Sequence, residues 1–125
     1  MARRVPPLPK EVTEPLMDTL QSRLQPQAVA HAQKVWSEWW RAPYAEACTP
    51  NQDALSWWIT CVFRRALYIQ VVRDRPLLKS SRGDLVVNPL EATVHTLTEE
   101  IAWAELRIGM ETARRNYDPS DEEQS

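Results

Sequence analysis

Apolar residues recur at helical spacing along most of this chain. Leu16, Leu20 and Leu24 lie four apart, so one side of that stretch is apolar. Thr13 can cap it and Pro15 falls in its first turn. Gln25-Pro26 predicts its end, because the residue before a proline is pushed out of the α region. A second helix is expected from residue 27 to Arg41, with Val29, Ala32, Val35, Trp36, Trp39 and Trp40 along one broad side. The two together read as a helical hairpin, which can form part of a helix-turn-helix. Its tryptophans read as core, since large aromatics at helical spacing usually pack.

Residues 43–49 read as a linker into a strong helix start at Thr49-Pro50-Asn51-Gln52. Threonine caps, proline takes the first helical position, and the glutamine can reach back to the cap. This helix should run to about Arg73 or Asp74, burying Leu55, Trp58, Ile59, Val62, Ala66, Ile69 and Val72, and Pro76 should stop it. Residues 77–87, LLKSSRGDLVV, hold two short apolar runs around a polar centre in which Gly83 can take a left-handed turn position. They predict a small β-hairpin or an irregular loop. Asn88-Pro89-Leu90-Glu91 is a second strong helix start. Beyond it Leu90, Val94, Leu97, Ile101, Ala104 and Ile108 alternate four and three apart, a heptad seam that Gly109 should close. Such a seam can pack inside its own chain or against a neighbouring copy.

The expected fold is therefore mostly all-α: a helical hairpin plus two long helices joined by a short hairpin or loop, in a single domain over residues 13–117. Residues 1–12 carry Arg3, Arg4, Lys10 and three prolines, and read as a disordered basic arm that could touch DNA. Residues 118–125 read as an acidic disordered tail.

Composition narrows this picture. A length of 125 residues suits one domain. Only 2 glycines against 10 prolines argues against a many-turned β fold. The net charge of −2 hides an asymmetry: without Asp118, Asp121, Glu122 and Glu123, 15 basic groups face 13 acidic ones. Cys48 and Cys61 have neither the number nor the spacing of a zinc site or a disulfide framework, and read as free thiols of a reducing compartment. Neither a signal-like apolar segment nor a membrane-length apolar run is present, so neither secretion nor a membrane partner is expected.

No catalytic constellation emerges. Two glycines cannot make a phosphate loop. His31 and His95 fall on different helices without metal-binding spacing, Glu99, Glu100 and Glu105 suit a solvated face, and nothing ties Cys48 to a base. A non-catalytic chain with no metal and no cofactor is expected. The strongest polar feature is basic: Arg64, Arg65, Arg73, Arg75, Lys79 and Arg82 against Asp74 within residues 64–82. Arginine's planar fork suits phosphates and base edges, so this cluster is the expected DNA-binding site. Arg23, Lys34 and Arg41 on the first two helices are the alternative reader.

The order of these features resembles the small subunits of tailed-phage terminases over residues 13–117. The resemblance is carried by the tryptophan-bearing helix, the linker into a long helix opened by Thr49-Pro50 with Asp53 inside it, the short segment with Gly83 leading to Asn88-Pro89, and a last helix ending in Leu106, Gly109 and Arg114-Arg115. Glu111-Thr112 stand where that family usually has Thr-Pro, and Arg115 matches its closing arginine. The resemblance implies a ring-forming homo-oligomer in the cytoplasm of a bacterial host. Such a ring recognises double-stranded phage DNA and delivers it to a large terminase subunit, which carries the ATPase and nuclease. It also shifts the seam residues Leu90, Val94, Leu97, Ile101, Ala104 and Ile108 towards an oligomerisation role. A small dimeric helical DNA-binding regulator and a structural phage head-completion protein are the other classes these features allow.

Overall fold

A computed structural model describes residues 5–42, 45 and 52–110. Among them are four α-helices and one two-stranded antiparallel sheet: α1 (Lys10–Thr13), α2 (Thr19–Arg41), α3 (Gln52–Asp74), β1 (Leu77–Lys79), β2 (Leu85–Val87) and α4 (Leu90–Ile108). The mostly helical class is as expected, with the small β-hairpin between the last two helices.

The centre of the fold is α3. It packs against α2 and α4, so burial on α3 extends right round the helix from Trp58 to Phe63. Trp58, Ile59, Thr60, Cys61, Val62 and Phe63 are all buried there, and Leu55 is buried one turn earlier. A helix covered on two sides needs a broad apolar surface rather than a single stripe. That is why Phe63, Leu67 and Val71 are buried while the expected Ala66, Ile69 and Val72 are only half-buried. The expected start at Thr49-Pro50 lies outside the described residues. Trp39 and Trp58 meet edge to face at 6.2 Å across the α2–α3 contact, and Trp36 meets Trp40 likewise at 5.6 Å.

The expected helical hairpin is replaced by one helix. Gln25-Pro26 does not end it, Thr13 is the last residue of α1 rather than a cap, and α2 runs unbroken with Pro26 inside. Asp18 is the cap, its carboxylate accepting from the Gln21 N–H at 2.9 Å. Proline removes one backbone bond and clashes with the carbonyl four residues back, a cost of about 3 kcal/mol in a helix interior. Here that carbonyl belongs to Ser22, and Ser22 and Pro26 are both exposed, so water can reach the freed oxygen. Against the cost stands continuous burial of Leu20, Ala28, Ala32, Trp36 and Trp39 on the opposite side.

The expected disordered arm is also corrected from residue 5 onward. Val12 is fully buried and Val5 and Leu8 pack against the core. The Trp36 indole N–H donates to the Pro6 carbonyl at 2.7 Å. Three prolines favour an extended course here and leave the unfolded segment less conformational freedom to lose when it is laid against the helices. Residues 1–4, and with them Arg3 and Arg4, lie outside the described residues, as does the acidic tail.

The α4 seam is taken up within the chain. Leu97, Ile101, Ala104 and Ile108 are buried in the same core as α3, while Leu90 and Val94 are half-buried. Those four side chains are taken up by the chain's own core, so they could meet a neighbouring copy only if the fold opened. Gly109 closes α4 in the left-handed conformation at φ 80, as its position promised.

Candidate nucleic-acid interface

The C-terminal turn of α3 and the N-terminal turn of α2 come together around Asp74. Its carboxylate lies 3.8 Å from Arg23 and 3.9 Å from Arg75, and all three side chains are at least 44% exposed. Ion pairs this open to water contribute little to stability. Both guanidinium groups therefore remain available to a stronger anion. Arg73, also exposed, sits in the last turn of α3, where a cation is favoured by the helix dipole. Asp18, Thr19, Leu20, Arg23 and Arg75 line a shallow open cleft at this end.

Asn88 fixes the hairpin to the same end. It is 4% exposed, its N–H donates to the Pro76 carbonyl at 3.0 Å, and its Nδ2 donates to the Arg75 carbonyl at 2.9 Å. Its Oδ1 meanwhile accepts from the Leu90 N–H at 3.0 Å and so caps α4. One side chain thus ties the end of α3, the base of the hairpin and the start of α4. The strands pair Leu77 with Val87, Leu78 with Val86 and Lys79 with Leu85. Ser80 closes the turn, its hydroxyl oxygen accepting from the N–H groups of Arg82 and Asp84, and Gly83 takes φ 87. Lys79 and Arg82 are exposed on this hairpin.

The structure accordingly divides the expected cluster. Arg73, Arg75, Lys79 and Arg82 share one end of the molecule. Arg64 and Arg65 are half-buried at mid-helix, roughly 15 Å from Arg75 along the α3 axis at 1.5 Å per residue. The Arg64 guanidinium lies 6.0 Å from the Trp57 ring centroid, a cation–π contact. Arg23, which the sequence placed with the alternative reader, joins the Asp74 end instead. Arg23, Lys34 and Arg41 are about three and five helical turns apart, so they also form one exposed stripe roughly 27 Å long down α2. The two candidate surfaces meet at Arg23. No spacing rule could have revealed this, because Asp74 reaches Arg23 only through the α2–α3 packing.

His31 and His95 are both exposed. Among the described residues no group of three or more His, Cys, Asp or Glu could hold a metal ion, and no helix is long and apolar enough to cross a membrane. Cys61 is a free, fully buried thiol; Cys48 lies outside the described residues. The chain matches no family model, no curated protein and no solved structure.

Proposed function

We propose that this chain is a small terminase subunit, the non-catalytic component of a phage packaging motor that binds DNA and passes it to an ATPase and nuclease subunit. The observation that carries the reading is the exposed basic end: Arg23 and Arg75 flank Asp74, Arg73 is exposed in the same last turn of α3, and the hairpin that follows carries the exposed Lys79 and Arg82. Phosphate neutralisation supplies most of the affinity of a DNA binder, so local gathering of arginines matters more than the net charge of −2. Supporting it is the order of elements, in which a tryptophan-rich helix, a long central helix, a Gly83 hairpin and an Asn88-Pro89 start lead to a last helix closed by Gly109.

Native mass spectrometry with and without duplex DNA tests the reading. A packaging subunit is expected to run as an assembly larger than a dimer and to shift with DNA. A DNA-binding dimer would favour a small helical regulator. An assembly indifferent to DNA would favour a structural head protein, and a monomer at micromolar concentration would sink the proposal.

A further inference from the structure

Two apolar surfaces stand exposed among the described residues. Strand alternation puts Leu77 and Val87, with Lys79 and Leu85, on one face of the hairpin. Leu77, Val87 and Leu85 are 50%, 58% and 65% exposed, and none of the described helices covers them. An isolated two-stranded hairpin is marginal in water, and Asn88 secures only its base. The second surface lies on α4 opposite its core side. Glu99, Trp103 and Leu106 follow each other four and three residues apart there, with Trp103 and Leu106 about two thirds exposed. Contiguous exposed apolar groups rimmed by charge mark interaction surfaces.

The geometry points to a second copy of this chain as the occupant: we propose that the hairpin face of one copy docks on the Glu99, Trp103 and Leu106 stripe of the next. Charge favours the match. Residues 73–84 carry four bases against Asp74 and Asp84, and Lys79 stands within the apolar face. Helix α4 carries Glu91, Glu99, Glu100 and Glu105 against Arg107, and Glu99 stands within the apolar stripe. Position excludes closure inside one molecule. The hairpin feeds the N-terminal end of α4, whereas Trp103 and Leu106 lie roughly 20 Å further along it at 1.5 Å per residue. Two different patches that complement each other make a head-to-tail contact, which propagates until rotation closes it.

This deepens the assembly half of the packaging reading, but it rests on the two surfaces and is tested without DNA. A chain that assembles this way and ignores DNA would sink the packaging reading and leave this contact standing.

The experiment uses two variants of the full chain, Leu85→Glu with Val87→Glu, and Trp103→Gln with Leu106→Gln. All four positions are exposed, so circular dichroism should show both folded; Lys79→Glu and Glu99→Lys serve as gentler versions. Sedimentation should show the wild-type chain assembling with concentration and each variant weakened roughly tenfold or more. An equimolar mixture of the two variants should form a heterodimer, because each retains the surface its partner lacks. The proposal is overturned if the wild type stays monomeric, if either folded variant assembles like the wild type, or if the mixture yields no heterodimer. Protection of the hairpin in a dilute monomer, lost on truncation after Asn116, would also overturn it by pointing to the chain's own acidic tail.

Discussion

The side-chain amide of Gln25 donates to the carbonyl oxygen of Glu14 at 2.7 Å. The same Nε2 lies 3.3 Å from the Val12 carbonyl, and Oε1 accepts from the Leu16 N–H at 3.2 Å. Gln25 is 9% exposed, so one polar side chain inside α2 satisfies backbone groups of a segment that has no regular structure after Thr13. It sits immediately before Pro26, the residue expected to end a helix there. Removing a partner from buried polar groups costs about 1–3 kcal/mol. Gln25→Ala should therefore lower unfolding free energy by about that amount in urea titration. It should also expose residues 12–16 to limited proteolysis. Wild-type stability and an unchanged cleavage pattern would show that the clip is idle.

Asn88 makes a sharper prediction because its two side-chain atoms have separate tasks. Asn88→Asp keeps an oxygen for the Leu90 N–H but loses the donor to Arg75, and sets a negative charge against a carbonyl oxygen. Asn88→Ala loses both. Each variant should destabilise the chain by about 1–2 kcal/mol, a cap being worth about 1. If the clamp orders the hairpin, hydrogen exchange of the Ser80 N–H, which donates to the Asp84 carbonyl at 2.7 Å, should speed up more than exchange in mid-α3. Uniform acceleration would mean the side chain stabilises only the whole.

How much of this was legible follows from where each signal sits. Local punctuation was readable: Asn88-Pro89 begins α4, Gly83 turns the hairpin and Gly109 ends the last helix, because capping and left-handed backbone are decided within a few residues. The α4 seam was readable as a pattern, but periodicity says which side is buried and not what buries it; the answer is α3. Pro26 misled because its penalty is local and what offsets it is not: the burial of Trp36 and Trp39 lies ten and more residues away. The basic end of the molecule was half legible. Charge clustering along the chain groups Arg73, Arg75, Lys79 and Arg82 with Arg64 and Arg65, which the helix sets apart half-buried at its middle, and it cannot bring in Arg23, which arrives from another helix. The uncovered pair Trp103 and Leu106 had a signal, being apolar positions off the seam.

Cys61 supplies a pH prediction. Burial pushes its thiol pKa up; Arg64 pulls it down and Glu100 adds to the rise. A thiol whose folded pKa is raised contributes stability that is fully present below its unfolded pKa and is lost as pH climbs through the folded one. Above the ordinary thiol range of about 8.5 the unfolded chain ionises first, so the native state holds the extra proton and unfolding becomes easier. Cys61→Ala should be less stable at pH 7, where it has lost packing atoms, with the gap to wild type narrowing as pH rises above about 8.5. A gap constant with pH would mean the thiol does not titrate differently on unfolding.

DNA binding should report on the Asp74 end through its salt dependence. Each phosphate neutralised on duplex DNA contributes about 0.9 to the slope of log affinity against log salt. If Arg73, Arg75 and Arg82 each meet one phosphate, replacing all three by Ala should flatten the slope by about 2.7 per bound protomer. Stability should hardly change, since these side chains are exposed and the Arg75 ion pair is screened by water. The α2 stripe provides the discriminating control. Arg23 belongs to both surfaces, so Lys34→Ala with Arg41→Ala tests the stripe alone. If DNA lies on the Asp74 end, the double variant keeps close to the wild-type slope, and Arg23→Ala removes about 0.9. Should the double variant abolish binding while the triple variant binds normally, the DNA runs along α2 and the Asp74 end is only a solvated helix terminus. Arg64→Ala is the remaining arm. Half-buried over Trp57, it should cost stability through lost packing and leave the salt slope unchanged.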